Sequence, residues 1–178
     1  MAKNSRKQIM LDEIRILDQL SKNANKSVNE IAKSCGFSRQ KVWRIIKNLE
    51  RNNTIWGYTS IIDEEKQNKK SYFILIKRTT NPLNKDVIEK ITKRDISKKA
   101  TRLGVKIISS VYTNGVYDWL ICFNANNIRD AKRFVEDLNK IFEGFIEEYI
   151  LLEKMFTIEN CGIQNPEINR LKEFFPDI

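Results

Sequence analysis

Apolar residues recur at helical spacing from early in the chain. Leu11-Asp12 reads as the start of a first helix, with Asp12 as N-cap and Ile14, Leu17 and Leu20 on one face. The polar break Lys22-Asn23-Ala24-Asn25-Lys26 ends it. Ser27-Val28-Asn29-Glu30 follows with capping-box spacing: the Ser27 hydroxyl accepts the Glu30 amide while the Glu30 carboxylate reaches back. Val28, Ile31, Ala32 and Cys35 give a short second helix its apolar face, and Gly36 supplies the left-handed residue that closes it. Ser38 caps a third helix over residues 39–52, with Val42, Ile45, Ile46 and Leu49 facing inward. The interval Cys35-Gly36-Phe37-Ser38 has the length of a helix-turn-helix turn, with Phe37 as its apolar plug. Residues 55–63, β-rich and broken by Gly57, predict a small hairpin wing.

The pattern changes after a charged stretch at 63–70. The run 72–76 is apolar and short enough for a buried strand. Pro82 opens a helical stretch carrying Val87, Ile88, Ile91, Ile96, Ala100 and Leu103, closed by Gly104; Asp95 or Ser97 offers a second cap, so one helix and two are both open. Residues 105–113 and 116–124 read as strands joined at Asn114-Gly115, a strong hairpin signal. A helix from about residue 127 presents Ile128, Ala131, Phe134, Val135, Leu138, Ile141 and Phe142 on one stripe, and a last strand starts at Ile146. The order β-α-β-β-α-β is ferredoxin-like. Asn165 and Pro166 have the form of a helix start, giving a C-terminal extension that is expected to be helical and to bury Ile168, Leu171, Phe174 and Phe175 on its own chain or a partner.

The expected fold class is α+β: an N-terminal winged helix-turn-helix over 1–63, a ferredoxin-like βαββαβ domain over 64–158, and an extension over 159–178. The length of 178 residues fits this, since domains usually hold about 100–200. Net charge is +9, and its distribution is uneven: residues 1–63 carry twelve Lys/Arg against six Asp/Glu, and residues 64–178 carry twenty against seventeen. The excess therefore sits mainly in the first third, where it favours a phosphate backbone. With no histidine, Ser-His-Asp and Cys-His catalysis and HExxH zinc sites are excluded. Cys35, Cys122 and Cys161 form no CxxC, so neither a metal site nor a disulfide framework is expected. No stretch approaches the ~20 apolar residues of a membrane span, and the start lacks a signal-peptide core; the expectation is a soluble, cytoplasmic protein with no cofactor and no membrane partner.

The outward face of the third helix has the chemistry a major groove requires. Arginine and lysine bond guanine O6/N7, and glutamine bonds adenine N6/N7. Arg39, Gln40, Trp43 and Arg44, on the N-terminal turns, are therefore assigned to bases, and Ser38, Lys41 and Lys47 to phosphates. The competing reading is a solvated basic helix face. Trp43 lies off the inward stripe and reads either as a groove contact or as a core-edge residue beneath the wing.

These residues resemble the Lrp/AsnC (leucine-responsive regulator) family of prokaryotic transcription factors over about residues 9–158. Leu11-Asp12, Ile16-Leu17 and Leu20 are similar to its first helix; Asn29-Glu30-Ile31-Ala32, Gly36-Phe37-Ser38, Val42, Ile46-Lys47 and Leu49-Glu50 to its helix-turn-helix; and Ile55-Trp56-Gly57-Tyr58 to its wing. Thr113-Asn114-Gly115-Val116-Tyr117-Asp118 resembles the G-x-Y-D element of its regulatory domain. Ile45 departs from the pattern, standing where the family often has arginine. The resemblance implies a regulator that binds double-stranded DNA as a homodimer or higher oligomer. It also implies modulation by a small effector such as an amino acid, with Gly115, Tyr117 and Asp118 as candidate effector residues. Two other functions compete: a siroheme decarboxylase-like enzyme on the same fold, whose relatives rely on histidine that this chain lacks, and an architectural DNA-binding protein of low specificity.

Overall fold

The computed structural model describes residues 6–175; residues 1–5, part of the basic start, and 176–178, the end of the extension, lie outside the described residues. The chain packs as two units: Met1–Ile61 together with Ile158–Ile178, and Ile62–Thr157.

In the first unit, three helices enclose a small core: α1 (Arg6–Lys22), α2 (Val28–Cys35) and α3 (Arg39–Arg51). The caps form as their residue types dictate. Ser27 Oγ accepts the Glu30 amide and the Glu30 carboxylate accepts the Ser27 amide. Gly36 at φ 68 lets the chain reverse without a Cβ clash. Ile16, Ile31, Val42 and Leu49 make the dry centre, joined at its edge by Leu17, Leu20 and Phe37. Two expectations for α1 need correcting. It begins at or before Arg6, so Asp12 lies inside the helix and is buried rather than capping its end. Ile16, one turn beyond Asp12, is the core residue, and Ile14 is exposed.

The segment 55–63 forms no strand, so the wing hairpin is absent from the single chain. Its backbone is tied at the start, where the Ile55 amide donates to the Leu49 carbonyl at 3.0 Å. Trp56, Tyr58, Ile61 and Ile62 then run exposed. A hairpin needs two strands of pairing length around a turn, and β-propensity alone supplies no partner strand.

After the second unit, the chain ends in a small hairpin, β5 (Glu159–Asn160) with β6 (Ile163–Gln164), and a 3₁₀ helix, Ile168–Phe174. The hairpin turns through Cys161-Gly162, at φ 50 and 77, the left-handed pair that suits a tight two-residue turn.

The second unit is a sheet of order β2-β3-β1-β4, all neighbours antiparallel: β1 (Lys70–Arg78), β2 (Lys106–Tyr112), β3 (Trp119–Ala125) and β4 (Ile146–Glu153). Helices α4 (Lys85–Thr92), α5 (Asp95–Arg102) and α6 (Ile128–Ile141) complete the βαββαβ order. Arg94 at φ 57 separates α4 from α5, which settles the first crossover as two helices. Strand alternation puts Tyr72, Ile74, Ile76, Ile121 and Phe123 on the helix side, packed with Val87, Ile96, Phe134 and Leu138. Each such side chain contributes about 1.5–3 kcal/mol by leaving water. Phe123 meets Phe134 edge-on at 4.8 Å, and Trp119 meets Phe142 at 5.2 Å. Among the described residues, no helix is long and apolar enough to cross a membrane.

Candidate nucleic-acid interface

The local sequence builds α3 so that its polar side has nowhere to go but outward. Val42 and Leu49 bury at 0% and 2%, and Ile45 at 9%, which anchors one side of the helix. Ser38 fixes its start by accepting the Lys41 amide at 3.2 Å. On the opposite side Arg39, Gln40, Trp43, Arg44 and Lys47 are exposed. Arg39, Gln40 and Arg44 make no side-chain hydrogen bond or ion pair among the described residues, so their donors and acceptors are open to a ligand. Trp43 is 57% exposed, which answers the alternative left open for it: the indole is on the surface, not under a wing. Burial of Ile45 has a simple consequence: the side chain here packs in the core and offers no charge to a backbone.

The remaining polar residues of α3 are partly engaged. Lys47 Nζ pairs with Glu50 Oε2 at 2.7 Å, and Glu50 also accepts the Tyr58 hydroxyl at 3.1 Å. The Lys47 hydrogen bond, opposed in part by burial, holds the Glu50 carboxyl below its ordinary range; burial and the Glu50 charge push the Tyr58 phenol up. Lys41 is the most committed. Its ammonium lies 2.6 Å from Asp12 Oδ2 and 3.9 Å above the centre of the Phe37 ring. The Asp12 carboxyl is lowered from the ordinary value chiefly by that bond. Sequence reasoning missed this partnership because it placed Asp12 at a helix end. The signal was an acidic residue one turn before the buried Ile16, on the same stripe. Between α1 and α3 lies an open groove of about 580 Å³, lined by Ile9, Asp12, Trp43, Arg44 and Arg51 among others.

The candidate effector residues lie in the second unit, between β2 and β3. Asn114-Gly115 does not form the tight two-residue turn expected of it. The last strand pair is Tyr112 with Trp119, the Thr113 amide donates to the Asp118 carbonyl at 2.8 Å, and a wider loop, 114–117, spans them. Gly115 stays out of the left-handed region. Side-chain ties explain the wider loop: Thr113 Oγ1 donates to the Tyr117 carbonyl at 2.5 Å, and Asp118 Oδ2 accepts the Arg78 amide at 2.8 Å where β1 ends. Arg78 in turn bonds the Tyr112 hydroxyl and the Asn81 carbonyl. Tyr117 and Asp118 are half-buried, and Gly115 is exposed.

The family described as winged helix-turn-helix DNA-binding matches residues 12–55. Over 130 residues the chain is 29% identical to the HTH-type transcriptional regulator LysM of Sulfurisphaera tokodaii, covering 72% of this chain and 84% of that one. LysM of Saccharolobus solfataricus is 27% identical over 130 residues, covering 72% and 82%. Among solved structures, an AsnC family transcriptional regulator of Agrobacterium tumefaciens aligns with TM-score 0.61 at 21% identity, covering 84% of this chain and 92% of that one. A transcriptional regulator of Neisseria meningitidis, solved as its L-Met complex, aligns with TM-score 0.62 at 19% identity, covering 84% and 91%. At these identities the structural likeness is one of fold.

Proposed function

We infer that this chain is a DNA-binding transcriptional regulator of the Lrp/AsnC type rather than an enzyme, reading double-stranded DNA with α3. The observation that carries this is the outward row Arg39, Gln40 and Arg44, presented on the first turns of a capped helix with no partner among the described residues. Buried or self-satisfied side chains cannot read bases; these are neither. Arg39, Gln40, Trp43 and Arg44 are assigned to base edges, and Ser38 and Lys47 to phosphates. Acting on DNA, the protein works in the cytoplasm.

The second unit supplies assembly and a ligand site. Alternation leaves Phe73, Leu75, Leu120, Ile150 and Leu152 on the sheet face away from the helices, with Phe73 and Leu152 exposed at 39% and 46%. An apolar sheet face of this kind favours a second copy of the chain. A dimer brings two recognition helices to half-sites about one helical turn apart. The effector is an amino acid, and Gly115, Tyr117 and Asp118 form its candidate site: Asp118 keeps one carboxylate oxygen for an ammonium, and Tyr117 offers a wall.

Selection of sites from a random duplex library by the purified chain, with and without a panel of amino acids, tests this. A palindromic motif is expected, with binding that weakens in salt and with Arg39→Ala plus Arg44→Ala. An isotherm indifferent to both would sink the reading.

A further inference from the structure

A buried carboxylate joins α1 to α3. Asp12 is 2% exposed, a depth at which an unpaired carboxylate costs far more than one hydrogen bond returns. It has two donors: Lys41 Nζ at 2.6 Å on Oδ2 and Gln8 Nε2 at 3.0 Å on Oδ1. The lysine is drawn inward as well. Its side chain is 27% exposed, and the ammonium caps the Phe37 ring at 3.9 Å. Three pieces of the unit therefore meet at one ammonium: the middle of α1, the plug of the turn, and the first turn of α3. Arg39 and Gln40 immediately precede Lys41, and Arg44 lies one turn beyond it.

We propose that Asp12 and Lys41 are a positioning clamp for the DNA-reading helix: the pair fixes how the first turn of α3 sits on α1, aims Arg39, Gln40 and Arg44, and keeps Lys41 off the phosphates. The clamp rests on the reading of α3 as the recognition helix. A buried ion pair contributes registry more reliably than net stability, because desolvation offsets most of its Coulomb attraction. Its two charges also cancel at the distance of a phosphate, so Lys41 adds nothing to the field that DNA meets. The expected sign of one substitution separates this from a simple charge effect. If only charge mattered, Asp12→Asn would strengthen binding, since it removes a negative group and frees an ammonium beside a polyanion. A clamp demands the reverse for the specific site.

The test measures equilibrium binding of the full chain to two duplexes across a salt series. One duplex is selected from a random library by the wild-type chain; the other is its scrambled sequence. Asp12→Asn and Lys41→Gln each keep a hydrogen-bonding partner at their position, and thermal unfolding checks that the helices persist. Each is expected to lower the selected-to-scrambled affinity ratio roughly tenfold, part of one bidentate base contact, with the salt slope unchanged. The double variant is expected to lose no more than either alone, because the two residues act as one unit. Lys47→Ala, a phosphate contact, is expected to lower the slope by about 0.9 and leave the ratio intact. Tighter binding by Asp12→Asn, or a lower salt slope in Lys41→Gln, would overturn the clamp. Should Asp12→Asn fail to fold, the slope and ratio of Lys41→Gln decide alone. A wild-type chain that prefers no duplex over another sinks the reading of α3, and the clamp with it; that outcome is distinct, since the wild type itself fails.

Discussion

The outward face of α3 and the loop between β2 and β3 are both rich in polar side chains but use them oppositely. On α3, Arg39, Gln40 and Arg44 end in solvent with no partner among the described residues. At the loop, Asp118 holds the Arg78 amide, Thr113 holds the Tyr117 carbonyl, and Arg78 holds Tyr112 and Asn81. Most polar groups at the loop are satisfied within the chain and build a scaffold, with one Asp118 carboxylate oxygen kept for a ligand; the side-chain ends of Arg39, Gln40 and Arg44 are all open. The lesson is that a polar cluster should be judged by what its atoms are already bonded to, not by its composition.

The largest effect is expected at α3. Arg39→Ala with Arg44→Ala removes the two guanidinium forks assigned to base edges, where a bidentate contact gives about 1–3 kcal/mol, so discrimination between selected and scrambled duplex should largely vanish in fluorescence anisotropy while unfolding is unchanged. At the loop the opposite split is expected. Asp118→Ala strands a part-buried Arg78 amide and should lower stability by about 1–3 kcal/mol in denaturant unfolding, with DNA discrimination per folded molecule kept. The effect of the proposed amino-acid effector on DNA binding should disappear in the milder Asp118→Asn.

Asp12 makes the first unit sensitive to acid. Its carboxyl is lowered from the ordinary value of 3.8, chiefly by the Lys41 bond, with burial opposing. A carboxylate lowered on folding contributes stability that is complete above the unfolded value and is lost as pH falls through the folded one. The first unit should therefore weaken below about pH 4, and Asp12→Asn should flatten that acid limb in circular dichroism. The smallest effect is expected in the core of the second unit. Tyr72 is fully buried and its hydroxyl has no partner among the described residues, so Tyr72→Phe should be neutral or raise the melting temperature slightly, because one stranded polar group is removed. A marked loss would reveal a partner for that hydroxyl in the assembled protein.

Where structure followed local chemistry, it was legible in the chain. The Ser27–Glu30 box, the Gly36 reversal and the Ser38 cap rest on contacts within a few residues and formed as expected, as did the apolar stripe of α6 from Ala131 to Leu138, with Ile128 at its start left exposed. Asn114-Gly115 looked equally local, yet its turn was overruled from β1, a strand far away in sequence, through the Arg78–Asp118 bond. Cys161-Gly162 made the left-handed turn instead, without standing out in the pattern. The segment 55–63 shows the reverse failure: residues suited to a strand, with no strand paired to them among the described residues. The outward polar side of α3 was readable because amphipathic periodicity leaves its polar residues only one direction to face.

The order of amino acids was enough to set the caps of α2 and α3, the apolar side of α3, and the stretch where positive charge accumulates, since these depend on neighbours a few bonds or one turn away. Tertiary structure alone decided that Asp12 is buried, that Lys41 is held by it while Arg39 and Arg44 are not, and that Asp118 closes the end of a strand. Those outcomes depend on which distant groups share a low-dielectric space, where a charge must find a partner or stay in water.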